Sequence, residues 1–143
     1  MKKSFVLAAL LPLAVAAQDI KKELNAELRT QVEFPATVPA GNYSGITWLG
    51  GNEYAVVCDK AKSDGFFIFH INIDPDTGVI SHAYSNEFRS SGYANRDMEG
   101  IAFLPKDTTI FISGEGDNHI REYKLKTGKH TGRELNVPDS LSI

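Results

Sequence analysis

From Leu28 onward, short runs of β-branched and aromatic residues alternate with clusters of Gly, Asn, Asp and Pro. Such runs favour pleated strands, and the clusters between them favour tight turns. No window in this region holds a 3.6-residue apolar period long enough for a core helix. The pattern predicts strands over Ile46–Leu49, Glu53–Cys58, Phe66–Ile73 and Val79–Phe88. A second series follows at Gly100–Leu104, Thr109–Ser113, Ile120–Leu125 and Thr131–Val137. Val79–Phe88 is longer and more polar than its neighbours, as a strand at a sheet's outer edge should be. Ala26–Phe34, which precedes the first series as that strand precedes the second, fits the same outer role.

The two series superimpose. Ser44-Gly45-Ile46-Thr47-Trp48-Leu49 aligns with Glu99-Gly100-Ile101-Ala102-Phe103-Leu104, and the two glycines stand 55 residues apart. Asp76-Thr77-Gly78 aligns with Lys126-Thr127-Gly128 at a spacing of 50. A four-stranded unit recurring at such a spacing is the mark of a β-propeller blade. The expected fold is all-β and propeller-like, with about two four-stranded blades of a larger propeller. An ordinary meander or sandwich is the competing architecture. Glycine at the start of each inner strand fits a place where another backbone approaches closely.

The N-terminus carries a different pattern. Met1-Lys2-Lys3 is positively charged, Ser4–Leu13 is uniformly uncharged and mostly apolar, and Ala14-Val15-Ala16-Ala17 supplies small residues. This three-part order predicts a secretory signal peptide over residues 1–17, cleaved after Ala17, with cleavage after Ala16 or an uncleaved anchor as the alternatives. Its apolar stretch is shorter than the roughly 20 residues that span a bilayer. Residues 18–27 are a charged lead-in, and 28–143 form the partial propeller domain. The chain is therefore expected to be secreted or periplasmic, with no membrane association once the leader is gone. Loss of Lys2 and Lys3 takes the formal net charge from −3 to −5, which argues against nucleic acid as a partner. Cys58 is the single cysteine, so no internal disulfide framework exists. It ends an apolar run with no base beside it and is expected to be a packed thiol.

Chemistry concentrates in the second series. Glu99 opens its inner strand, where the first series has Ser44. Asp97 stands two residues earlier, on the same face if the chain is extended. Two carboxylates there suit a hard cation such as Ca²⁺, which takes six to eight oxygen ligands; tying the strand to nearby backbone N–H groups is the alternative role. Asp59 and Glu115, each just past a second strand, are further candidates, and Asp117 stands in the same loop as Glu115. Arg96 is a weaker candidate for binding a phosphate. Asp74-Pro75-Asp76-Thr77-Gly78 begins like a calcium loop, but its twelfth position is Ser85 rather than Glu, which leaves a plain turn. His70, His82, His119 and His130 show no metal-ligand spacing. No Gly-x-Ser-x-Gly elbow is present, so a serine esterase is disfavoured.

Ser44-Gly45-Ile46-Thr47-Trp48, Asp59, Asp97-Met98-Glu99-Gly100-Ile101-Ala102-Phe103 and Ser113-Gly114-Glu115-Gly116 together resemble the phytase-like domain of secreted bacterial proteins named for esterase-like activity of phytase. The resemblance runs from about Tyr43 to Pro138. Its Asp-x-Glu-Gly-Ile-Ala and Ser-x-Glu elements are shared loosely with the gluconolactonase and paraoxonase groups. The resemblance implies a propeller with a polar central channel, often calcium-dependent, that hydrolyses phosphate or other esters of small molecules. A closed propeller needs at least four blades, so the chain is expected to be the N-terminal part of a longer domain. A non-catalytic propeller that binds a ligand or partner outside the cytoplasm, and a truncated chain with no independent activity, are the alternatives. N-terminal sequencing of the exported product should begin at Gln18; an intact Met1 would contradict the leader.

Overall fold

The computed structural model describes residues 31–136. The expected signal peptide over residues 1–17 and the expected 18–27 lead-in fall outside them, as do the two ends of the expected 28–143 domain. Eight strands make up the described fold: β1 (Tyr43–Gly50), β2 (Glu53–Cys58), β3 (Gly65–Ile73), β4 (Ile80–Ser90), β5 (Met98–Leu104), β6 (Thr109–Gly114), β7 (His119–Lys124) and β8 (His130–Asn136). They form two four-stranded antiparallel sheets, each paired in chain order, β1-β2-β3-β4 and β5-β6-β7-β8. The described residues contain no helix, and the protein is all-β. Each sheet is an open meander, the strand order of a propeller blade.

Each of the eight expected strands of the two series is present; β2 keeps both expected ends, and no end of the others moves by more than three residues. The Ala26–Phe34 strand is not borne out where it can be seen, because residues 31–34 lie outside any strand. Pro35 and Pro39, directly after it, lack the N–H donors that would carry a ladder onward. The chain meets the outer edge without pairing as a strand: the Phe34 ring stands edge-on to His82 of β4, Ser85 N donates to Thr37 O at 3.0 Å, and Thr37 Oγ1 donates to Ala83 O.

The repeat extends to backbone detail. In sheet 1 the β1/β2 register slips between Tyr43 and Gly45; in sheet 2 the β5/β6 register slips between Met98 and Gly100. Ser44 and Glu99 are therefore the extra residues of equivalent bulges. The corner turns match as well: Gly78 N donates to Asp74 O at 2.8 Å, and Gly128 N to Lys124 O at 2.9 Å. Gly78 and Gly128 have φ of 71° and 69°, a conformation that glycine adopts without steric cost. The Asp74 carboxylate is spent on its own turn, accepting from Asp76 N, Thr77 N and Thr77 Oγ1.

The sheets pack through their inner strands. One face of sheet 1 (Ala55, Val57, Phe66, Ile68) meets one face of sheet 2 (Met98, Ile110, Ile112, Tyr123), and all eight side chains are buried. Gly45 lies at the closest approach, where a Cβ would stand 2.7 Å from Glu99 O. Cys58 is free and buried, the packed thiol its sequence context implies.

A polar clasp crosses this core. Asp64, just before β3, is fully buried, with Tyr123 OH donating to its Oδ2 at 2.8 Å and Ser91 Oγ at 2.9 Å. The Arg96 guanidinium lies alongside, with Nε 3.5 Å from Asp64 Oδ1. It donates to Tyr123 OH at 3.0 Å, Ile112 O at 3.2 Å and Asp117 Oδ1 at 2.8 Å. Burial, reinforced by the Asp64 charge, pushes the Tyr123 phenol well above its usual range and keeps it a proton donor. Removing one member of a buried ion pair strands the other, at about 3–5 kcal/mol. Arg96→Ala should lower the free energy of urea unfolding by that amount, whereas Lys106→Ala on an exposed turn should change it by less than about 0.5 kcal/mol.

Candidate metal centre at the junction of the sheets

Asp59, Asp97 and Glu99 converge, and each offers an oxygen within 4.8 Å of the others. Asp59 comes from the end of β2 in sheet 1, whereas Asp97 and Glu99 lie at the start of β5 in sheet 2. The cluster therefore straddles the junction of the repeats. An ion with Ca–O distances of 2.3–2.6 Å holds its ligand oxygens no more than about 5 Å apart. The observed spacing satisfies that limit.

The convergence has a local cause, and it is not the extended chain expected from the i, i+2 spacing. Asp97 sits in the left-handed region, with φ 56°, and Glu99 occupies the bulge. Aspartate tolerates this backbone better than most side chains, and a bulge re-aims the residue it carries. Asn95 joins the pieces. Its Nδ2 donates to Asp59 O at 2.6 Å and Ala61 O at 2.8 Å, while its Oδ1 accepts from Asp97 N at 2.8 Å. One side chain thus pins the turn after β2 to the entry of β5.

Lys60 supplies the opposing charge. Its Nζ lies 2.7 Å from Asp97 Oδ1 and 3.6 Å from Asp59 Oδ2. The hydrogen bond to Asp97 raises the Lys60 pKa above the ordinary lysine value, so the ammonium remains charged at neutral pH. Asp59 Oδ1 is buried and has no hydrogen-bond partner. A carboxylate oxygen in that state is undersatisfied, and a cation is the group that would complete it. Oxygen donors, their spacing and this orphaned atom all fit Ca²⁺.

The remaining candidates are placed otherwise. The Glu115 side chain is exposed and outside the cluster; its backbone N donates to Asp97 O at 2.9 Å. The matching bond in sheet 1 runs from Asp59 N to Asn42 O at 3.1 Å. Asp59 and Glu115 are thus equivalent by backbone, yet only the first meets the cluster. Arg96 is buried, its guanidinium engaged in the clasp, and Gly114 is required beside it because a Cβ would meet its Nη1 at 2.8 Å. Asp117 accepts from Arg96 and pairs with Arg121 at 3.0 Å. Sequence reasoning missed Lys60 and Asn95. The Asn-x-Asp spacing of Asn95 and Asp97 is the available signal, since Asn side chains accept from a backbone N–H two residues on.

Two grooves flank the Lys60–Asp97 pair. One of about 410 Å³ is lined by Asn95, Arg96, Asp97, Gly116 and Asp117. The other, of about 670 Å³, is lined by Asn42, Lys60, Lys62, Ser63, Phe67 and Phe88 among others.

A family model described as phytase-like, esterase-like activity of phytase, matches residues 38–143. The match spans most of the chain, which therefore belongs to this family. No curated protein matches the sequence. Asn95→Ala should separate Asp59 from Asp97 and weaken calcium binding by at least tenfold in a calorimetric titration, while Asn118→Ala, on an exposed turn, should leave the affinity unchanged.

Proposed function

We propose that this chain is part of a secreted, calcium-assisted hydrolase of phosphate or other small-molecule esters. The observation that carries the reading is the convergence of Asp59, Asp97 and Glu99 around an orphaned carboxylate oxygen. Family membership supports the reaction class, and the leader pattern of residues 1–17 supports export. Asp59, Asp97 and Glu99 would hold the ion. Bound calcium supplies Lewis acidity toward a phosphoryl or carbonyl oxygen and orients water.

The rest falls to the protein's own side chains. Asn95 holds the two aspartates in register. Lys60 and Lys62 place positive charge along the larger groove, where an anionic ester is attracted. Phe67 and Phe88 give that groove an apolar wall for the remainder of a substrate. Arg96 acts from behind, because its charge is consumed in the clasp that sets the position of Asp97.

Calcium titrations of the protein, with turnover of aryl phosphate and aryl carboxyl esters, test the reading. Asp97→Asn is the informative variant, because asparagine keeps the left-handed backbone while losing the charge. It and Glu99→Gln should each weaken calcium binding at least tenfold and lower turnover in parallel. Unchanged affinity in both variants would remove the metal assignment. Calcium binding without turnover of either ester would favour a non-catalytic, ligand-binding role.

A further inference from the structure

Lys60 belongs both to the acidic cluster and to the larger groove beside it. Its Nζ stands between two of the three carboxylates, 2.7 Å from Asp97 Oδ1 and 3.6 Å from Asp59 Oδ2. The same residue lines the groove of about 670 Å³, together with Lys62.

The backbone beneath Lys60 is fixed, and its side chain is not. Ala61 N donates to Cys58 O at 3.1 Å, closing the turn that carries Lys60. Asn95 Nδ2 holds the carbonyls on either side of it, those of Asp59 and Ala61, at 2.6 and 2.8 Å. The Lys60 side chain is 61% exposed, and its stem is flexible. It can turn away from Asp97 while both aspartates keep their places.

An ion that ligates Asp59 and Asp97 stands about 2.3–2.6 Å from an oxygen of each. That position lies in the gap the ammonium now spans. An ammonium has donors and no acceptor, so it cannot join a coordination shell. At such short range its charge also repels a dication. One cation must leave for the other to settle, and an ammonium that has left Asp97 is unpaired beside a groove already lined by Lys62.

We propose that Lys60 couples the two ligands of this site: a divalent cation displaces its ammonium from Asp97, and the displaced ammonium binds the anionic group of the ester. The proposal rests on the calcium reading above and adds a link between metal and anion that the reading does not contain. By linkage, each ligand tightens the other by the same factor.

Calorimetric titration of the full chain with calcium tests this, with and without saturating methylphosphonate, a phosphate-like anion that has no ester bond to lose. In the wild type the anion should tighten calcium binding at least ~fivefold. Lys60→Met keeps the bulk of the stem and removes the charge. Without the anion it should bind calcium more tightly than the wild type, by at least ~fivefold, and the anion should then change its affinity by less than about twofold. Lys60→Gln, a second neutral side chain, should behave in the same way. Lys106→Met removes the same charge from an exposed turn and should match the wild type in both titrations. Circular dichroism should show that all three variants remain folded. Neutral variants that bind calcium no more tightly than the wild type would overturn the proposal, because the ammonium would then not compete. Coupling that survives in them would overturn it too, since the anion would then sit on the metal itself. An absence of calcium binding in the wild type and every variant would instead remove the metal reading beneath it.

Discussion

The fold depends on the burial of Asp64 against Arg96 and Tyr123. An unpaired carboxylate or guanidinium in this core would cost several kcal/mol, so these groups can be buried only if they meet. Asp64 precedes β3 of the first sheet, Arg96 lies in the link between sheets, and Tyr123 is on β7 of the second. Apolar packing alone would let two meanders slide across one another. The directional demands of one phenol, one carboxylate and one guanidinium fix a single register. The acidic cluster inherits that register, since Asp97 follows Arg96 directly and Asp59 arrives from the opposite sheet.

Symmetry and asymmetry are divided cleanly. Backbone features repeat: the bulges at Ser44 and Glu99, the corner turns closed by Gly78 and Gly128, and the bonds Asp59–Asn42 and Glu115–Asp97. Side chains do not. Ser44 donates to Met98 O at 2.6 Å and stitches the sheets, while its counterpart Glu99 joins the acidic cluster. The candidate site arises because equivalent backbone positions carry different functional groups.

Much of this was legible in the sequence. Eight strands, two repeats, the equivalence of Ser44 with Glu99 and a buried Cys58 follow from apolar alternation and turn residues, which are local signals. Asp59, Asp97 and Glu99 were legible as candidates, but not as neighbours in contact. Their meeting depends on the left-handed Asp97, the bulge and the Asn95 bridge, none of which alternation encodes. The clasp was hidden for a related reason. Asp64 and Tyr123 are 59 residues apart, and an isolated Asp before a strand reads as a turn residue until its burial is known. Arg96 drew notice for its charge, and burial turned that charge inward.

Lys60 carries a consequence for the order of events in the protein's life. With Nζ 2.7 Å from Asp97, it serves as a tethered counterion for a cluster that would otherwise repel itself. A chain that brings its own positive charge can complete its fold in a medium poor in divalent ions. The charge of the cluster is thus partly balanced from within the chain, and its geometry is held by the protein's own groups.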